Sequence, residues 1–285
     1  MSKKNFKKLT TSLLFILIIN FSFTPAKEIK WTAIGDSITY LNNHLNETGN
    51  RVKKGYLDRV KDRLPNISYI NQGHNGWTTV GIAKEINKLG IVQSDLYSVF
   101  LGTNDWWNGI PVGSLNDYIN NTGTGTTCGA YRIIVDKIRS LNPSAKIVLI
   151  TPIQRNDFVY IADANNNAFG SYKAKNGQTL EMFANAIIEI AKHENFPVVD
   201  LYHNRKLKLE KAVKFKRLKN PLTGAYQNYK YPESASIPYN PKKDDYPYPL
   251  DAAKMTYDGL HPSDQGNKVI AENLVTLFKK NYHVL

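Results

Sequence analysis

The stretch Lys30-Trp31-Thr32-Ala33-Ile34-Gly35-Asp36-Ser37-Ile38 decides the fold. A short apolar and β-branched run stops at a glycine followed by Asp and Ser. Such a run, bounded by turn residues, suits a strand buried on both faces of a parallel sheet. The glycine permits a tight turn, and the Ser37 hydroxyl is left where the strand ends. Alone, the motif does not assign chemistry, because Gly-Asp-Ser is also a common turn composition.

Four further runs have the same character: Ser68–Asn71, Leu96–Leu101, Lys146–Thr151 and Pro197–Leu201. Between them the apolar residues recur at helical spacing. Leu57, Val60 and Leu64 share a face of Tyr56–Leu64, and Ile82, Ile86 and Leu89 share one of Gly81–Leu89. Tyr131–Leu141, Thr179–Glu194 and Pro262–Tyr282 carry similar stripes. Strands alternating with helices predict an α/β domain around a mostly parallel five-stranded sheet. Such sheets bind ligands beyond the carboxyl ends of their strands.

Composition narrows the remaining classes. The 285 residues include 42% hydrophobic and 21% charged residues, too apolar for a disordered chain. A single cysteine, Cys128, excludes an intramolecular disulfide framework and a Cys-based zinc cluster. Residues 1–26 have the pattern of a secretory signal peptide: Lys3, Lys4, Lys7 and Lys8, then an apolar run at Leu13–Phe23, then Thr24-Pro25-Ala26. That run is short for a membrane anchor, so export to the periplasm or exterior without a stable anchor is expected. Cleavage after Ala26 would leave 259 residues, with 33 basic against 24 acidic side chains, so the net charge falls from +13 to +9.

Residues 27–285 are expected to form one domain, interrupted at about 202–257 by a Tyr- and Pro-rich insertion. It opens with the basic run Arg205 to Lys219. Leu207, Leu209, Val213, Phe215 and Leu218 interrupt the run, which predicts a packed amphipathic segment with a solvated basic face and argues against nucleic-acid binding.

Three further short motifs lie at strand ends or before the last helix. Asn71-Gln72-Gly73-His74-Asn75-Gly76 can expose backbone N–H groups. Leu101-Gly102-Thr103-Asn104-Asp105 offers a side-chain amide at a strand end, either as a donor to developing negative charge or as an Asx-turn. In Asp258-Gly259-Leu260-His261-Pro262, the acid three residues before the His can hold one ring nitrogen and free the other as a base, unless the segment is only a solvated turn.

Together, in this order, the four pieces resemble the blocks of the SGNH hydrolases, also called the GDSL esterase/lipase superfamily. Ile38 stands where that family usually has Leu. The resemblance spans essentially the whole chain after residue 26. It implies a three-layer αβα sandwich similar to flavodoxin, and an acyl-serine mechanism without metal or organic cofactor. Ser37 would be the nucleophile, His261 the base, read as the only His beside an acid at that spacing, and Asp258 its partner. The N–H groups of Ser37 and Gly76 and the Asn104 amide would form the oxyanion hole. Asp36 and Asp105 would brace these loops. No Gly-x-Ser-x-Gly elbow is present, which argues against the α/β-hydrolase fold.

Trp77, Trp106 and Trp107 flank the two oxyanion loops. They are candidates to stack on sugar rings or line an acyl pocket, with at least one expected in the core. The expected substrate is an ester, with an acetylated or short-acylated carbohydrate preferred. A lipase, lysophospholipase or thioesterase would use the same constellation, and an inactive carbohydrate-binding protein is the alternative from another class. The oligomeric state is not legible.

Overall fold

The computed structural model describes residues 28–282, so the expected signal peptide at 1–26 lies outside the described residues. In chain order the elements are β1 (Ile29–Gly35), α1 (Ser37–Tyr40), α2 (Tyr56–Arg63), β2 (Ile67–Gly73), α3 (Thr79–Glu85), β3 (Leu96–Phe100), α4 (Thr103–Trp107), α5 (Leu115–Ile119), α6 (Thr127–Leu141), β4 (Lys146–Ile150), β5 (Phe158–Val159), β6 (Asn167–Ala168), α7 (Leu180–Glu194), β7 (Val198–Val199), α8 (Leu209–Ala212), β8 (Lys216–Lys219), β9 (Tyr226–Tyr229) and α9 (Asp264–Tyr282).

The central sheet has the order β2-β1-β3-β4-β7, and every pairing in it is parallel. This is the flavodoxin-like order, reversing direction between β1 and β3. Side chains alternate across the sheet with period two. Trp31 and Ala33 of β1, Phe100 of β3 and Val148 of β4 face one helical layer, made of α2 and α9. Ile34, Tyr97, Val99, Ile147 and Leu149 face the other, made of α3, α6 and α7. The expected three-layer α/β sandwich is therefore the observed one, and each face is dry enough to explain the continuous apolar runs. Burial of one large side chain such as Phe278 contributes roughly 1.5–3 kcal/mol.

The helices start where capping chemistry allows. Thr126 accepts from the Gly129 N–H before α6, and Thr179 accepts from the Met182 N–H before α7. Asn195 ends α7 in the left-handed region at φ 55°. The 202–257 region is ordered. It contains α8 and the antiparallel β8–β9 hairpin, and it buries Tyr229, Tyr248 and Tyr257. Leu207, Leu209, Val213 and Leu218 are buried as the amphipathic reading requires, with one correction to the solvated basic face. Lys216 is buried and pairs with Asp157 at 2.5 Å. Strand alternation explains this, since Lys216 and Leu218 point inward while Arg217 points out. Among the described residues no helix is long and apolar enough to cross a membrane.

Candidate active site

The sheet order places a crevice beyond the carboxyl ends of β1 and β3. The parallel register brings Gly35 level with Gly73 on one side and Phe100 on the other, so the three following loops converge. Ser37 follows β1 as the first residue of α1. Asp36 caps that helix, its Oδ1 accepting from the Ile38 N–H at 3.0 Å. The cap turns the chain sharply, and Ser37 is buried except for its approach to the crevice.

His261 comes from the opposite end of the chain, just before α9. Ser37 Oγ and His261 Nε2 are 2.9 Å apart, and His261 Nδ1 lies 2.6 Å from Asp258 Oδ2. The other carboxylate oxygen of Asp258 accepts the backbone N–H groups of Leu260 (3.0 Å) and His261 (2.7 Å). A fully buried carboxylate is thus held by three donors. With Nδ1–H donating to Asp258, Nε2 is the acceptor for the Ser37 hydroxyl proton. Gly259 makes the turn feasible. Its φ is +92°, and a Cβ there would lie 2.0 Å from the Asp157 carbonyl oxygen. Phe158 meets the His261 ring edge-on at 5.4 Å, and Tyr257 stacks at 6.0 Å.

A second Asp-x-x-His was overlooked in the sequence. Asp200 and His203 repeat the spacing and make the same Nδ1 contact at 2.8 Å. That pair is solvent-exposed, and the other nitrogen of His203 faces Glu181 at 3.6 Å. His261 is therefore not unique in spacing. It is distinguished by its contact with Ser37.

The donors expected around an oxyanion converge on the same place. Gly76 occupies the third position of a turn closed by Trp77 N–H donating to the His74 carbonyl at 3.1 Å, and its φ is +76°. No hydrogen bond among the described residues takes up the N–H of Gly76 or of Ser37. Asn104, on the short helix α4, donates one amide hydrogen to the Trp77 carbonyl at 3.0 Å, which leaves the second for the crevice. Ser37, Gly76, Asn104 and His261 line one cavity of about 180 Å³. Two unpaired N–H groups and an amide facing a nucleophile–base pair can stabilise a tetrahedral oxyanion.

Asp105 acts on this loop from behind. Its buried carboxylate accepts from the Thr79 N–H (2.8 Å) and hydroxyl (3.0 Å) and from the Thr127 hydroxyl (3.3 Å). It anchors the start of α3, directly after the Gly76 turn. Burial raises its pKa. Asp36 is pushed up to about 6, because burial outweighs the hydrogen bond it accepts from Ile38 and the charge of His261. A raised carboxyl pKa means that the native state holds the proton more tightly than the unfolded chain. Asp36 thus lowers stability as pH rises from its ordinary range near 4 through about 6. Asp36→Asn keeps the capping oxygen and removes the charge. Its stability relative to wild type should rise by about 2 kcal/mol between about pH 4.5 and about pH 7.5, read by urea unfolding. A difference independent of pH would disprove this origin of the shift.

The three indoles separate. Trp106 is a correction. It is 0% exposed, its Nε1 donates to the Gln178 carbonyl at 3.0 Å, it packs with Leu180 and Phe183, and it does not line the cavity. Trp77 is half-buried against the α3 core beside His74 and does not line the cavity. Trp107 does line it, and it also borders an adjoining cleft of about 390 Å³. Arg155, Phe158 and Asn166 also line the cavity, and sequence reading missed them. Arg155 follows β4 by five residues, so the strand-end rule applied to the fourth strand would have found it.

The profile of the GDSL-like lipase/acylhydrolase family matches residues 33–269. A crystal structure described as a possible lipase, from Chitinophaga pinensis, is 64% identical and superposes with a TM-score of 0.88, covering 89% of this chain and 98% of that one. A Lactobacillus plantarum protein shares the fold at 18% identity and TM-score 0.60, covering 90% and 100%. An acetylxylan esterase from Geobacillus stearothermophilus does so at 17% identity and TM-score 0.50, covering 88% and 94%. No curated protein matches the chain. Sequence order, sheet topology and the family match agree, and the chain belongs to the GDSL-like lipase/acylhydrolase family.

Proposed function

We propose that the protein is a serine esterase that removes acetyl or other short acyl groups from carbohydrate. The observation that carries the esterase chemistry is the continuous chain from Ser37 Oγ through His261 to buried Asp258, at 2.9 and 2.6 Å. In this reading His261 takes the Ser37 proton as Oγ attacks the ester carbonyl. The N–H groups of Ser37 and Gly76 and the amide of Asn104 hold the oxyanion. Protonated His261 then gives its proton to the departing alcohol. Water, deprotonated by the same nitrogen, releases the acid and frees Ser37.

The size of the site favours a small acyl group. A cavity of about 180 Å³ lies below the roughly 300–1,000 Å³ typical of drug-sized ligands. The adjoining cleft carries Trp107, Phe169, Tyr172 and Tyr239, whose flat faces suit sugar rings, with polar tips on the indole and the two phenols. The acetylxylan esterase noted above is distant in sequence and supports the fold only. The test is acid release from p-nitrophenyl esters of increasing length and from acetylated polysaccharides. Acetyl esters should react fastest. A preference for octanoyl or longer esters would replace this reading with a lipase.

A further inference from the structure

Arg155 is an unusual residue among those lining the cavity. It is 1% exposed, yet no carboxylate lies within salt-bridge distance of it among the described residues. One Nη2 hydrogen goes to the Phe169 carbonyl at 2.9 Å. Its Nε is buried with no hydrogen-bond partner. The guanidinium otherwise sits against the indoles of Trp106 (5.0 Å) and Trp107 (5.6 Å). Nearby acids are committed elsewhere. Asp258 is bound to His261, and Asp157 accepts from Lys216, Gly170 and Tyr172. Burial pulls the Arg155 pKa down to about 10, so it stays charged at neutral pH.

A buried cation with an unfilled donor is costly unless something completes it. The planar fork of an arginine matches the paired oxygens of a carboxylate, and buried charge-assisted pairs are the strong ones. The neighbouring cleft has charged side chains at its border. Lys173 lines it, and Lys175 lies 4.5 Å above the Trp107 ring. Resting on the esterase reading, we propose that Arg155 determines specificity by binding a carboxylate that the substrate carries next to its scissile ester. The carboxylate belongs to a uronate on the alcohol side or to a dicarboxylic half-ester on the acyl side.

Two matched pairs distinguish those sources: acetylated galacturonate against acetylated galactose, and monoethyl succinate against ethyl butanoate. The readout is the ratio of kcat/KM within each pair, whatever happens to absolute rates. Wild type should favour the carboxylate in one pair by about 10–100-fold, and that pair names the side. Arg155→Met should collapse the ratio to about one, and Arg155→Lys should keep part of it. Equal rates in both pairs, or a preference that survives Arg155→Met, would overturn the proposal. Calorimetric titration of the same pairs into full-length Ser37→Ala protein reads the discrimination without chemistry. It stands even if wild type hydrolyses none of the esters, and equal affinities there would also overturn the proposal. If Arg155→Met does not fold, Arg155→Lys carries the comparison: it should keep only part of the wild-type ratio, and an undiminished ratio would overturn the proposal.

Discussion

Ser37→Ala should lower kcat on p-nitrophenyl acetate by about 10⁴–10⁶-fold, with KM changed little. Among the described residues the hydroxyl is the only nucleophile lining the cavity within reach of His261, at 2.9 Å from Nε2. The oxyanion donors survive the substitution, because the Ser37 donor is its backbone N–H. What remains is attack by bulk water in a preorganised pocket, so residual activity is expected to be small but measurable. Stability should move by no more than about 1 kcal/mol, since the hydroxyl makes one net hydrogen bond. Thermal unfolding alongside kinetics separates the two effects. Substantial retained turnover in a folded variant would end the acyl-serine reading.

Asp258→Asn should cost about 10⁴-fold in kcat, for a reason the backbone enforces. Oδ1 of Asp258 accepts two N–H groups, from Leu260 and His261, so the oxygen of an introduced amide must remain there. The new NH₂ then faces His261 Nδ1, where Oδ2 now lies at 2.6 Å. Two donors cannot share that contact, so Nδ1 gives up its proton and Nε2 carries it. An Nε2–H cannot receive the Ser37 proton. The variant therefore fails through its tautomer while keeping the geometry. Nitrogen-15 spectra of the histidine ring should show the exchanged protonation. A loss of less than about tenfold would remove Asp258 from the mechanism.

Much of the site was legible because each motif is also a piece of local structure. Gly35-Asp36-Ser37 combines a strand end, a cap and a helix start, and Gly76 occupies a turn position that needs positive φ. The inner strands β1, β3 and β4 announce themselves as apolar runs because both faces of the sheet are covered there, whereas the edge strand β2 is only half-buried. The indoles were less readable. Trp106 and Trp107 are adjacent on the five-residue helix α4, where one step rotates a side chain by about 100°. One enters the core and the other reaches the cavity, and no local pattern says which. Lys216 was misread for a similar reason. Its partner Asp157 is 59 residues away, so the inward lysine looked like part of a solvated run. The Asp200–His203 pair shows the converse: a motif by spacing alone, at an exposed surface, without a nucleophile.

Ser37 and His261 are separated by 224 positions, although their side chains touch. On a growing chain the nucleophile and the first four sheet strands are made well before the histidine. His261 is then delivered by the turn that leads into α9, and α9 rests on α2. Hydrolytic competence is thus a late event in the life of each molecule, acquired only when the two ends of the fold meet. A nascent or partly folded copy carries the nucleophile but lacks its base, so the ester-cleaving chemistry stays silent until the architecture around it is complete.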